Sequence, residues 1–195
     1  MTSRAFTVSL ALAAACLLGD NANAQTQAGG LTFGLSAGAS RMSYTFDSFG
    51  PGQAGRSFDE APYGLGTELH AGYMFSPSLA VLLSASGNET LDSDTSQIVH
   101  SLGLKFWPTS RLYLRGGLGT GRHVRQVTGG QEDGDWTFGF LVGAGYEFAR
   151  PGKFALDVQV RYTRANQGAG SAAAHPISSV AVLLGSDFYL RRREP

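Results

Sequence analysis

The sequence predicts an all-β fold, an eight-stranded antiparallel up-and-down transmembrane β-barrel. Three observations carry this expectation. Apolar residues alternate with small or polar ones through eight separate segments. The face opposite the apolar one is largely glycine with a few embedded charges, where a soluble barrel would turn Lys, Glu and Thr to water. Short and long connections take turns along the chain. Successive side chains of a strand point to opposite faces, so each segment makes one apolar face and one polar or tiny face. Runs of about ten residues of this kind, with aromatic ends, describe strands whose apolar side meets lipid. Glycine weakens a strand and is usually present where something packs closely, which suits a cramped interior.

The elements follow in order. Residues 1–24 read as a secretory signal: Arg4 supplies the positive start, Ala5 to Gly19 the apolar region, and Ala22-Asn23-Ala24 the cleavage pattern. The only cysteine, Cys16, lies within it, so a mature chain from Gln25 has no thiol chemistry. Ala13-Ala14-Ala15-Cys16 loosely resembles a lipidation site, but the apolar region continues past Cys16. No later run approaches the ~18 apolar residues of a spanning helix.

Strand one is expected from about Leu31 to Arg41, with Leu31, Phe33, Leu35, Ala37 and Ala39 outward. A polar, Gly-rich stretch from about Ser43 to Pro62 follows. Strand two shows Tyr63, Leu65, Thr67, Leu69, Ala71, Tyr73 and Phe75, and turns at Ser76-Pro77-Ser78. Strand three offers Leu79, Val81, Leu83 and Ala85, then a loop from about Gly87 to Ser96. Strand four carries Ile98, His100, Leu102, Leu104 and Phe106, and turns at Trp107-Pro108-Thr109-Ser110. Strand five gives Leu112, Leu114, Gly116 and Leu118, with a polar loop from about Arg122 to Asp135. The hairpin Trp136–Tyr162 supplies strands six and seven around Ala149-Arg150-Pro151-Gly152. Its outward faces are Trp136, Phe138, Phe140, Val142, Ala144, Tyr146, Phe148 and then Phe154, Leu156, Val158, Val160, Tyr162. After a Gly/Ala-rich segment from Ala165 to Pro176, strand eight closes with Val180, Val182, Leu184, Ser186, Phe188 and Leu190. The barrel domain is therefore residues 25–190, and residues 191–195 form a short C-terminal tail. All three short connections hold a proline, and an even strand count puts both termini at their end of the barrel.

These features resemble the small eight-stranded outer-membrane barrels, the OmpA-like transmembrane domain and its relatives. Gly185, Phe188 and Leu190 fit the Gly-x-x-aromatic-x-hydrophobic insertion signal of such barrels, although Leu183 stands where that family usually has a polar residue. The resemblance implies insertion into the outer membrane by the barrel-assembly machinery, after export by the cleavable signal. It also implies contact with outer-membrane lipid and lipopolysaccharide. The tail is too short for the cell-wall-binding domain that full-length relatives carry.

Alternation places Glu68, His70, Lys105, Arg115, Glu147, Asp157 and Arg161 inside. Eight strands leave an interior just wide enough for side chains to fill. Charges confined there must pair or neutralise, so a structural ion-pair network is expected, and a gated ion path is the sharper alternative. His100 is the polar residue on the lipid face and should sit at headgroup level. Barrel deacylases of outer-leaflet lipid place a lipid-facing His and Ser two apart on one strand; here that position is Leu102, and Ser101 faces inward. No catalytic, cofactor-binding or metal-binding set is expected. His123 and His175 fall in separate loops, and no Gly-rich segment opens a helix to hold phosphate. The loops carry Asp47, Asp59, Glu60, Asp92, Asp94, Glu132, Asp133 and Asp135, with Arg56, His123 and Arg125 among them. Loops are where such a scaffold would bind an extracellular ligand; nucleic acid is not an expected partner. The expected role is structural and surface-interacting. The alternatives are a small-solute or ion channel, a lipid-modifying enzyme, and a soluble lipocalin-like barrel, which the glycine-rich face opposes.

Overall fold

The structure, a computed structural model, describes residues 29–48, 56–60, 62–91, 95–127, 130–150, 153–166 and 176–191. The signal segment, Asp92, Asp94, Pro151, His175 and the tail beyond Arg191 lie outside these residues. So do the side chains of Asp47, Arg56, Asp59, Glu60, Arg125, Glu132 and Asp133.

Eight long strands form the barrel: β1 (Gly30–Ser48), β3 (Tyr63–Ser76), β4 (Leu79–Thr90), β5 (Thr95–Phe106), β6 (Leu112–Val127), β8 (Thr137–Ala149), β9 (Phe154–Ala165) and β10 (Ile177–Arg191). Each pairs antiparallel with the next, and β10 pairs with β1 from Gly30↔Arg191 to Ser43↔Ser178, so the sheet closes on itself. Two short strands, β2 (Arg56–Glu60) and β7 (Gly130–Asp133), hairpin onto the extended ends of β1 and β6. Closure pairs both edges of each of the eight long strands, which lipid cannot do.

The register also fixes the tilt. From Phe33 the partners run Ala71, Leu83, Leu102, Leu118, Phe140, Arg164, Ser178 and back to Ser43, ten residues further along the same strand. Such a stagger requires strands inclined to the barrel axis and sets its width.

Burial is inverted relative to a soluble protein. Leu69, Leu83, Leu102, Leu118 and Leu184 are each more than 60% exposed on the outer wall, while Glu68, Arg115, Glu147 and Arg161 are buried. Every strand keeps the expected face assignment within the apolar band.

The connections differ from expectation. β4 runs on to Thr90 and β5 begins at Thr95, so the expected Gly87–Ser96 loop shrinks to four residues. The polar stretches after Arg41 and after Arg122 are likewise partly strand, with β1 reaching Ser48 and β6 reaching Val127. The connection through Trp107 to Arg111 spans five residues, so strict alternation of lengths fails. The physical reason lies in the solvent. Beyond the apolar band no lipid demands an apolar face, so a strand can continue with polar residues on both sides and its period-2 signal vanishes. Both chain ends still meet at the end bearing the Pro77 and Pro108 turns.

Candidate functional site: the barrel interior

The candidate site is the lumen, which three layers of side chains cross. The layer nearest the β1–β2 end is neutral. Asn88, Gln97, Thr163 and Ser179 are buried and bonded to one another, with Ser179 Oγ donating to Gln97 Oε1 at 2.9 Å and Asn88 Nδ2 donating to Thr163 Oγ1 at 3.2 Å. Met42 and Ile177 close over this layer.

The middle layer is ionic. Arg161 on β9 reaches the opposite wall, donating to the Thr67 carbonyl at 2.8 Å, to Asn88 Oδ1 at 2.9 Å and to Glu68 Oε2 at 3.2 Å. Arg115 on β6 pairs with Glu68 Oε1 and donates to Ser84 Oγ at 3.1 Å. His70 Nδ1 stands 3.5 Å from the same Glu68 oxygen without hydrogen-bond geometry, and its Nε2 meets Asp187 Oδ1 at 2.6 Å. Lys105 on β5 donates to Asp187 Oδ2 on β10 at 2.5 Å. Gly34 makes room for this junction: a Cβ there would stand 2.3 Å from the His70 ring and 2.4 Å from Asp187.

The third layer caps the short-turn end with aromatics. Trp107 Nε1 donates to Glu147 Oε1 at 2.7 Å, and Tyr189 Oη donates to the same oxygen at 3.0 Å. Tyr113 Oη donates to Asp157 Oδ1 at 3.0 Å, and its ring lies 3.8 Å from Lys105 Nζ. Arg150, in the β8–β9 connection, pairs with Glu147 Oε2. Met74, Ala80, Leu82 and Ala155 pack among these rings.

All seven charged residues expected inside are therefore inside, on five different strands; six of them take part in ion pairs with one another, and Asp157 is held by Tyr113. Sequence reasoning omitted Asp187, the acceptor that joins His70 to Lys105. The same alternation places it inward, between outward Ser186 and Phe188, on the face opposite the apolar run of that strand. Trp107 and Tyr189 were also omitted, the first because it follows the end of β5 and resembles a turn residue. Of the insertion-signal residues, Phe188 and Leu190 are exposed on the outer wall, and Gly185 faces inward beside Asp157. Leu183 is fully buried inside. His100 faces outward with its ring 5.1 Å from Trp136, Leu102 follows it outward, and Ser101 is buried.

A closed, tilted eight-stranded barrel with an apolar outer wall and a charged lumen defines a small transmembrane β-barrel protein. The family model of the outer membrane protein beta-barrel domain matches residues 9–180, so the chain belongs to that family and to the outer membrane. Among solved structures it is similar to neisserial surface protein A (NspA), at 16% identity over 81% of this chain and 97% of that one, with a TM-score of 0.59. Ail of Yersinia pestis is a more distant likeness, at 19% identity over 82% of this chain and 99% of that one, with a TM-score of 0.48. Identities this low speak to the fold alone. No curated protein matches the sequence.

Proposed function

We propose that this protein is a non-catalytic, non-conducting outer-membrane barrel that reinforces the envelope and presents four loops to the exterior. The observation that carries this reading is the ionic layer, in which Arg161, Arg115 and the Lys105–Asp187 pair each bridge different walls of the lumen. Buried charges held by several partners are costly to separate, so the layer favours a plug over a path. Loops on such a rigid support are the part free to bind an extracellular ligand.

A channel is the second reading, and one observation favours it. The hydroxyls of Ser36, Ser40, Ser86 and Ser101 are buried with no hydrogen-bond partner, and such groups normally find water. Planar-bilayer recording of the purified chain separates the two. The plug reading expects no steady conductance steps. Steady steps whose size changes in Arg115→Ala would replace it with the channel reading. Mass spectrometry of lipid A from expressing cells tests the non-catalytic part, where loss of an acyl chain would overturn it.

A further inference from the structure

Four buried donors of the ionic layer have no hydrogen-bond partner among the described residues: Arg115 Nε, Arg161 Nε, and the hydroxyls of Ser86 and Ser101. Each of these residues is at most 6% exposed. A guanidinium Nε–H only donates, and a hydroxyl can donate. Buried polar groups normally have partners, and a buried donor without one is costly.

The fold gathers these groups. Arg115 on β6 and Arg161 on β9 stand in one register row, with only Gly143 of β8 between them. A Cβ on Gly143 would lie 3.3 Å from Arg115 Cγ and 3.5 Å from Arg161 Cα, so the two stems flank that glycine. Both side chains then cross to the β3–β4 wall. Arg115 Nη2 donates to Ser84, the register partner of Ser101. The Ser101 hydroxyl leans toward β6: a Cβ on Gly117, the next inward residue beyond Arg115, would lie 2.9 Å from it. Arg161 Nη2 donates to the Gly87 carbonyl and to Asn88 Oδ1, the two residues after Ser86. Ser86 itself is in register with Glu68, which both arginines reach.

The charges do not balance there. Both guanidinium groups meet Glu68 through Nη1, and among the described residues it is the only carboxylate either is paired with. Lys105 and Asp187 offset each other, so one positive charge is left over. Asp157 does not supply the balance: it lies four residues along β9 from Arg161, roughly 13 Å of strand, and is held by Tyr113.

We propose that Arg115, Arg161, Ser86 and Ser101 bind one small monovalent anion of halide size, chloride in solution, inside the lumen. One excess positive charge calls for one negative charge, and four donors call for an acceptor without protons. Water answers the hydrogen bonds and leaves the buried charge uncompensated, which is the costly part. Closure sets the size. The Asn88–Gln97–Thr163–Ser179 layer lies on one side and the Lys105–Asp187 junction with its aromatic cap on the other, so the site suits a bare ion and not a substituted oxyanion. The inference deepens the plug reading on which it rests, because an anion held between two walls adds a partner to the layer that closes the lumen.

The test is urea unfolding of the full chain in phosphatidylcholine vesicles, in sodium chloride and in sodium gluconate of equal ionic strength, with a gel shift on heating to show that each variant folds. A ligand of the folded state raises the folded-to-unfolded ratio about a hundredfold when present at about a hundred times its dissociation constant, so the midpoint should be higher in chloride. Arg115→Gln leaves Arg161 offset by Glu68 and should abolish the difference between the salts. Ser86→Ala and Ser101→Ala keep the charges, and each should raise the chloride needed by about tenfold. Bromide-soaked crystals give a direct readout, with an anomalous peak expected beside Arg115 Nε and Arg161 Nε. Equal wild-type midpoints in the two salts would overturn the site. So would a chloride effect that neither Arg115→Gln nor the serine variants diminish. A density peak at these donors without anomalous signal would mean water only and overturn the anion. Planar-bilayer recording reads the plug separately: steady conductance removes that reading, and the site then stands or falls on the chloride and bromide arms.

Discussion

Replacing Asp187 with asparagine tests the ionic layer at its most connected point. The substitution keeps shape and removes charge. Asp187 is 1% exposed and accepts from Lys105 at 2.5 Å and from His70 at 2.6 Å. Removing one partner of a buried ion pair costs about 3–5 kcal/mol, because the other charge stays buried. Lys105 is not wholly abandoned: Glu147 Oε1 lies 3.9 Å away and the Tyr113 ring 3.8 Å away. His70 retains Glu68. The loss should therefore fall at the lower end, about 3 kcal/mol, on the order of a hundredfold in the folding equilibrium. The assay is urea unfolding of the barrel in lipid vesicles, followed by gel mobility and by fluorescence of buried Trp107. Adding Lys105→Met removes the stranded charge, and the double variant should be no less stable than Asp187→Asn alone. A single-variant loss below about 1 kcal/mol, or a double-variant loss equal to the sum of the singles, would refute the coupling.

Two further perturbations probe the wall and its packing. Leu102→Arg puts a charge on the lipid face within the apolar band and should cost about 2–4 kcal/mol, whereas Thr120→Arg near the band's edge should cost about 0–1 kcal/mol; equal costs in vesicle unfolding would mean that this wall does not face lipid. In Gly145→Ala the new methyl would stand 2.3 Å from the Tyr113 ring, displacing the hydroxyl that donates to Asp157. Overpacking of this kind typically costs about 1–3 kcal/mol, read as a lower urea midpoint, and an unchanged midpoint would show that the Tyr113 ring is free to move.

The sequence by itself determined the strands within the apolar band, their inward and outward faces and the inward position of the seven expected charges. It could do so because lipid on one side and a crowded lumen on the other force a period of two on each strand. The sequence does not reveal strand ends beyond that band, as in β4 to Thr90 and β6 to Val127, because water on both sides imposes no pattern. It does not reveal partners either. Alternation says that Arg161 points inward. Only the stagger of the closed sheet sets it against Asn88 and Glu68, seventy-three and ninety-three residues away in the chain. The same closure brings Ser178 against Ser43, one hundred and thirty-five residues away in the chain. Strands remote in sequence thus become neighbours, and which of their residues meet is a property of the tilt.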